Sequence, residues 1–199
     1  MKRSLFVGAA LLGAGAALVV LTAGPSPLPA AHAGVRPDVI YVPTPQVVVD
    51  RMLQMAKVTR DDVVYDLGCG DGRIVCTAAR KYGCKAIGFD IDPQRIKESN
   101  ANRMKESAEV QQRITFEKKD IFKLDLSKAS VVTLYLLPWL NVRLIPQLEK
   151  MKKGSRIVSH AYGMKGIRPD DVVVMKDDKG TTRKIYLWTI PLTKLKKKP

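Results

Sequence analysis

Three acids and a run of glycines are the residues of this chain whose types and spacing best suit chemistry. Asp66 ends a short apolar run (Val63, Val64, Tyr65); Gly68, Gly70 and Gly72 follow at alternate positions, with Cys69 between the first two. Beyond them, Arg73 to Tyr82 has helical composition and spacing. Strand, glycine turn and helix in that order open a parallel α/β sheet that binds its ligand at the carboxyl end of the strand. Glycine tolerates positive φ there and lets a ligand approach the backbone, and the helix start offers unpaired N–H groups to a polar or anionic group. Asp90 ends the next apolar run, Lys85 to Ile91, and lies 20 residues beyond Gly70. An acid at about that offset hydrogen-bonds ribose hydroxyls in nucleotide-binding βαβ units. Asp92 and Pro93 then read as the N-cap and first position of a helix. Asp120 and Ile121 follow a third strand, Arg113 to Glu117.

The dinucleotide fingerprint requires a third glycine where this chain has Arg73, which is too large for close helix–strand packing. The pattern present is G-x-G-x-G with an acid two residues before it. In this it resembles the class I, seven-β-strand methyltransferases that use S-adenosylmethionine; the competing reading of the triplet alone is a tight turn in an unrelated α/β protein. The resemblance implies that Asp66, Gly68, Cys69 and Gly70 form the cofactor turn and that Asp90, with Ile91 beside it, holds the ribose. It also places Asp120 at the adenine amine and Ile121 on the ring, although Asp120 reads equally well as a plain turn residue.

Ser130 to Leu137 is a near-continuous apolar run, as a central parallel strand buried on both faces should be. Pro138 ends it and a helical pattern follows, Trp139 to Met151. Methylases of nucleic-acid bases carry [DN]-P-P-[YFW] at this strand end, whereas this chain has Tyr135-Leu136-Leu137-Pro138. The departure disfavours nucleic-acid bases and leaves an apolar, aromatic slot; since class I methyltransferases meet their substrate at this strand end, the resemblance implies Tyr135, Pro138 and Trp139 as substrate-side residues. For Tyr135 the alternative is a core tyrosine satisfied by backbone. His160, near the end of a fifth strand (Ser155 to Ala161), could accept a proton from an amine, but reads more readily as structural.

Upstream, in Tyr41-Val42-Pro43-Thr44-Pro45, Thr44 suits an N-cap and Pro45 a first helical turn, with Val48, Met52 and Met55 on one face. Either this is a covering helix, or Tyr41 to Pro45 arches over the cofactor mouth and adds Tyr41 and Thr44 to the cofactor residues. A V-P-[ST]-P segment ahead of D-L-G-[SC]-G-D-G-R-I is similar to the branch of mitochondrial lysine methyltransferases acting on ATP synthase and nucleotide-carrier proteins. That similarity covers roughly residues 41–159 and implies a protein-lysine acceptor. A small molecule or RNA is the alternative substrate, and a non-catalytic S-adenosylmethionine-binding module the alternative class.

The elements that must position these groups follow. Residues 1–33 have a basic start, 19 apolar residues (Leu5 to Ala23), a proline break and Ala31-His32-Ala33 before Gly34. That is the layout of a secretory signal peptide, with an uncleaved membrane anchor and a misplaced start codon as competitors. Export or membrane association sits in tension with a cofactor made in the cytosol. The remaining 166 residues suffice for one domain, read as 34–193 with a basic tail at 194–199. Without Lys2 and Arg3 the balance is 32 basic against 19 acidic residues, a net +13. Such a charge favours encounter with an acidic partner or an anionic membrane surface. Cys69, Cys76 and Cys84 form no C-x-x-C pair, so no metal site is expected; a Cys76–Cys84 bridge stays open. Two β-rich runs, Asp171–Met175 and Arg183–Ile190, flank a hairpin signal at Asp177-Asp178-Lys179-Gly180. The fold expected is α/β, and the resemblance to the class I methyltransferases implies a Rossmann-like seven-stranded methyltransferase sheet in the order 3-2-1-4-5-7-6, its last strand antiparallel, with helices on both faces.

Overall fold

The structure, a computed structural model, describes residues 41–195; residues 1–33, read above as a signal peptide or anchor, lie outside them. Five strands alternate with helices in chain order: β1 (Val63–Leu67), β2 (Lys85–Asp90), β3 (Ile114–Lys118), β4 (Val131–Leu134) and β5 (Arg156–His160). A hairpin closes the sheet, β6 (Asp171–Lys176) and β7 (Thr182–Thr189). The strand order is β3-β2-β1-β4-β5-β7-β6, with β1 to β5 parallel and β7 antiparallel to both its neighbours. This is the sheet expected from the sequence, and the class I methyltransferase arrangement. The helices are α1 (Gln46–Met55), α2 (Arg73–Tyr82), α3 (Pro93–Arg103), a single turn α4 (Ala108–Gln111) and α5 (Pro138–Leu148).

Side chains alternate across a strand, so each strand feeds two cores. Val64, Ala86, Val131 and Val158 join α1 and α2 on one face. Tyr65, Ile87, Val132 and Ile157 join α5, through Leu140, Leu144 and Leu148, on the other. The expected apolar positions of α1, Val48, Met52 and Met55, are buried with Val49 and Leu53. Its start differs from expectation: the helix begins at Gln46, and Pro45 caps it through backbone, its carbonyl accepting from Val48 N and Val49 N at 3.0 Å. Thr44 lies one residue too early to cap, and its hydroxyl turns inward to His160. Asp92 caps α3, accepting from Gln94 N at 2.8 Å, with Pro93 at its first position. Strand ends are trimmed relative to the sequence pattern, most at β4, where only Val131–Leu134 pairs and Tyr135 to Leu137 leave the sheet.

Ile167–Arg168 and Thr193–Lys194 form a short antiparallel pair that no sequence signal announced. Lys194, counted with the basic tail, is thereby tied to the domain, and its Nζ lies 3.2 Å from Glu149. All three cysteines are buried free thiols, so Cys76 and Cys84 form no bridge. Among the described residues no helix is long and apolar enough to cross a membrane.

At the amino ends of the strands, Asp62 is buried and fully engaged. It accepts from Arg156 Nη2 at 2.8 Å, Ser130 Oγ at 2.6 Å and Thr59 N at 2.8 Å, while Arg156 Nε donates to Ala56 O at 2.9 Å. Burial alone would raise this carboxyl; the hydrogen bonds from Arg156, Ser130 and Thr59 bring it below its ordinary value. The cluster ties the end of α1 to β1, β4 and β5. Asp62→Ala should therefore lower unfolding free energy by about 2–3 kcal/mol in urea titration, the scale of losing hydrogen bonds to a charged group, without changing ligand affinity at the far end of the sheet.

Candidate active site

The carboxyl ends of the parallel strands converge on one cavity of about 250 Å³. Asp66, Gly68, Cys69, Asp90, Ile91, Asp120, Ile121, Tyr135, Tyr41 and Thr44 all line it. Of the other expected residues, Gly70 stands just behind the wall, under the Tyr41 ring. Pro138 and Trp139 do not reach the cavity. Pro138 opens α5, and the helix carries Trp139 outward, 51% exposed, while Leu136, Leu137 and Leu140 take the inner positions.

The glycine turn is built by backbone. Gly68 N and Cys69 N both donate to Phe89 O, at 2.8 and 2.9 Å, stitching β1 to β2 as the two strands end. Gly70 has φ +54° and a Cβ there would fall 2.2 Å from the Tyr41 ring. Gly72, at φ +78°, precedes α2, and a Cβ would meet Phe116 at 2.4 Å. Both positions therefore require glycine for conformation and for space. Asp90 fixes the turn: Oδ2 accepts from Gly70 N and Oδ1 from Asp92 N, each at 3.0 Å. Asp120 Oδ1 accepts from Phe122 N at 3.0 Å, so it is a turn residue as well as a lining one.

Asp66 sits beside Thr133 in the register of β1 with β4, and Thr133 Oγ1 donates to it at 2.6 Å. Asp66 is 2% exposed. Burial pushes it up to about 7; the Thr133 hydrogen bond opposes this, and the charges of Asp90 and Asp71 add to it. Five acids, Asp66, Asp71, Asp90, Asp92 and Asp120, thus line one cavity, and Asp90 and Asp71 make Asp66 harder to ionise. Such a donor set fits a ligand that is itself cationic.

Both readings of the segment that begins at Tyr41 hold: α1 covers the sheet, and Tyr41 to Thr44 ahead of it form a strap that lines the cavity; the arginines that hold the strap escaped sequence reasoning. Arg73 forks onto Asp71 (Nη2–Oδ2 2.6 Å) and donates from Nη1 to Thr44 O at 2.9 Å. Arg95 lies over the Tyr41 ring, 4.7 Å from its centroid. Tyr41 is pushed up to about 12, first by burial and then by the charge of Asp71. An arginine in place of the fingerprint's third glycine was the available signal for Arg73. Phe122, under Arg143 at 3.8 Å, and Tyr162 also line the site; no pattern in the sequence marked them.

His160 stands behind the cavity wall. It is fully buried, with Nδ1 3.3 Å from Thr44 Oγ1 and its ring 4.0 Å from that of Tyr135. Burial brings it down to about 4, with Arg183 adding to the effect, so the imidazole is neutral at neutral pH. It does not line the cavity and takes the structural role.

A parallel sheet in this order, a glycine turn between two acids and an acid-lined cavity at the strand ends define a class I, S-adenosylmethionine-dependent methyltransferase. The chain belongs to the family of the ANTKMT methyltransferase domain, which matches residues 66–171. It is 46% identical over 156 residues to a protein-lysine N-methyltransferase of Saccharolobus islandicus, covering 77% of this chain and 95% of that one. To the ATP synthase C-subunit lysine N-methyltransferase of Xenopus laevis it is 29% identical over 156 residues, covering 73% of this chain and 66% of the relative. It is also similar to the crystal structure of an RNA methyltransferase from Salinibacter ruber in complex with S-adenosyl-L-homocysteine, at 46% identity and a TM-score of 0.69, covering 75% of this chain and 94% of that one.

The raised Asp66 carboxyl has a consequence for stability. An acid with a folded pKa above its unfolded value of about 4 stabilises the fold fully below that value and loses the contribution as pH rises through about 7. Between pH 4 and 8.5 the unfolding free energy of Asp66→Asn should shift in the variant's favour relative to wild type by on the order of 4 kcal/mol, measured by denaturant titration without cofactor. Parallel pH profiles would show that Asp66 titrates alike in the folded and unfolded protein.

Proposed function

We propose that this methyltransferase acts on the side-chain amine of a protein lysine. The observation that carries the reading is the end of β4. Tyr135, Leu136 and Leu137 leave the sheet into the cavity, with Leu140 from the first turns of α5 beside them. The slot is apolar and aromatic, and it lacks the polar residues that grip the amine of a nucleic-acid base. The names of the Saccharolobus and Xenopus relatives support the same acceptor.

Bound S-adenosylmethionine supplies a methyl group on a cationic sulfur. In this reading Asp90, with Ile91, holds its ribose, and Asp120 and Ile121 take the adenine. The glycine turn and the acids Asp66 and Asp71 face the cationic end, under a strap from Tyr41 to Thr44. The chain's main contribution to the reaction is orientation, which can supply ~7–11 kcal/mol in well-aligned cases. A lysine must be neutral to attack. Burial against Tyr135, Leu136 and Leu137 disfavours the ammonium form, and the Tyr135 phenol, raised above its usual value by burial, stays protonated and can accept a hydrogen bond from the amine. No dedicated base is needed. Asp66 is engaged with Thr133; Asp71, Asp90, Asp92 and Asp120 are engaged with Arg73 or with backbone N–H groups; and His160 is buried against Tyr135 outside the cavity lining.

RNA methylation is the second reading. It is favoured by the naming of the Salinibacter protein and by the net charge of +13 outside residues 1–33, 32 basic against 19 acidic. For residues 1–33 we retain the reading of an export or anchor segment, supported by their composition alone.

Tritiated S-adenosylmethionine, offered with protein, RNA and metabolite fractions of cells lacking the gene, separates the acceptors. Label is expected in protein, on lysine, and should disappear with Asp90→Ala together with S-adenosylhomocysteine binding in calorimetry. Label confined to RNA would reverse the assignment. The mass of the amino terminus of the native protein should place it at Gly34; an intact Met1 would exclude cleavage.

A further inference from the structure

The turn after β5 holds an exposed side chain with unusual firmness. The strand ends at His160, and Ala161 takes φ +65°, a left-handed conformation that residues other than glycine, asparagine and aspartate seldom adopt. Tyr162 N closes the turn onto His160 O at 2.8 Å. Tyr162 O accepts from Ser159 Oγ at 2.7 Å and from Asn141 Nδ2 at 3.2 Å. Ser159 and Asn141 are both fully buried. Asn141 Oδ1 has no hydrogen-bond partner among the described residues. A strained alanine and an unpaired buried acceptor each destabilise a fold, and such costs concentrate at functional sites.

What this apparatus fixes is the backbone of a residue whose ring is outside the core. Tyr162 is 38% exposed and lines the active-site cavity. It follows β5 directly, and β5 pairs in parallel with β4, the strand that delivers Tyr135 to the same cavity. The two phenols are close enough that Tyr162 makes Tyr135 harder to ionise. The backbone clamp has no role in the core packing of this ring, since the ring is not there.

We propose that Tyr162 is a second substrate-contacting aromatic residue, which with Tyr135 lines the entry for the acceptor side chain, and that Ala161, Ser159 and Asn141 are its positioning residues. The proposal rests on the lysine reading above for the nature of its ligand. An alkyl amine that arrives protonated suits two aromatic faces, which cover its methylenes and attract its charge.

The test uses the full chain, tritiated S-adenosylmethionine and the same protein and RNA fractions. Tyr162→Leu should transfer about tenfold more slowly at limiting acceptor, the scale of one cation–aromatic contact, and the loss should shrink as acceptor is raised. Tyr162→Phe, which keeps the ring, should stay within about threefold of wild type. S-adenosylhomocysteine affinity and the thermal midpoint should be unchanged in both. Label in protein with Tyr162→Leu equal to wild type overturns the contact and leaves the lysine reading standing. If label enters RNA instead, the lysine reading falls; a loss in Tyr162→Leu on that acceptor still supports the contact, and no loss overturns it. A matching fall in S-adenosylhomocysteine affinity also overturns it, because Tyr162 would then belong to the cofactor site or the fold.

Discussion

The carboxylate of Asp90 is the tie on which the site depends. It ends β2 and takes one backbone N–H from the glycine turn after β1 and another from the start of the next crossover, each at 3.0 Å. Both crossovers are thereby fixed to each other at the point where the sheet runs out. Because β1 to β5 are parallel, every strand delivers its carboxyl end to the same edge, so one carboxylate can organise turns that are distant in sequence. Each Asp90 oxygen keeps acceptor capacity beyond the bond it makes, and a bound hydroxyl can therefore join the network without dismantling it.

The two ends of the sheet treat buried acids in opposite ways. At the amino end Asp62 has an arginine, a hydroxyl and a backbone N–H, and its carboxyl is held below the ordinary value. At the carboxyl end Asp66 has one threonine hydroxyl and two acidic neighbours, and is held up near 7. The first arrangement is self-sufficient and ties elements together. The second leaves charge unbalanced, which destabilises the ligand-free protein at high pH and favours a cationic ligand. The polypeptide thus places its stabilising ion pair and its binding acids at opposite ends of one short strand.

Much of this was legible because it is local. The glycine spacing, the acid at the end of β2 and the Asp92-Pro93 start of α3 each express a single turn's requirements, and the chain must meet them within a few residues. The alternation of apolar runs and helical patterns, with the closing hairpin, marked the elements; their order in the sheet came with the resemblance to the seven-strand methyltransferases. What stayed hidden depends on register between distant segments. Thr44 looked like a helix cap because its neighbours suit one; its hydroxyl is instead 3.3 Å from His160, 116 residues away. Trp139 looked like a wall of the slot, but the helical turn carries it outward, and Leu140 takes its place. The short pairing of Ile167–Arg168 with Thr193–Lys194 has no side-chain pattern at all.

The placement of His160 explains how an amine site can work without a base. A histidine near the strand end suggests proton abstraction, yet here burial keeps it neutral, and it packs on Tyr135 outside the cavity lining. A base with a pKa near 4 is too weak to draw a proton from a lysine ammonium. Its geometry serves another end, since Nδ1 meets Thr44 of the strap and its ring packs on Tyr135 of the slot. One neutral imidazole therefore sets the strap and the Tyr135 side of the cavity against a common support. With both fixed, the proposed lysine reaction leaves deprotonation to the desolvation of the amine itself, and the energetic demand moves from acid–base chemistry to the shape of the slot.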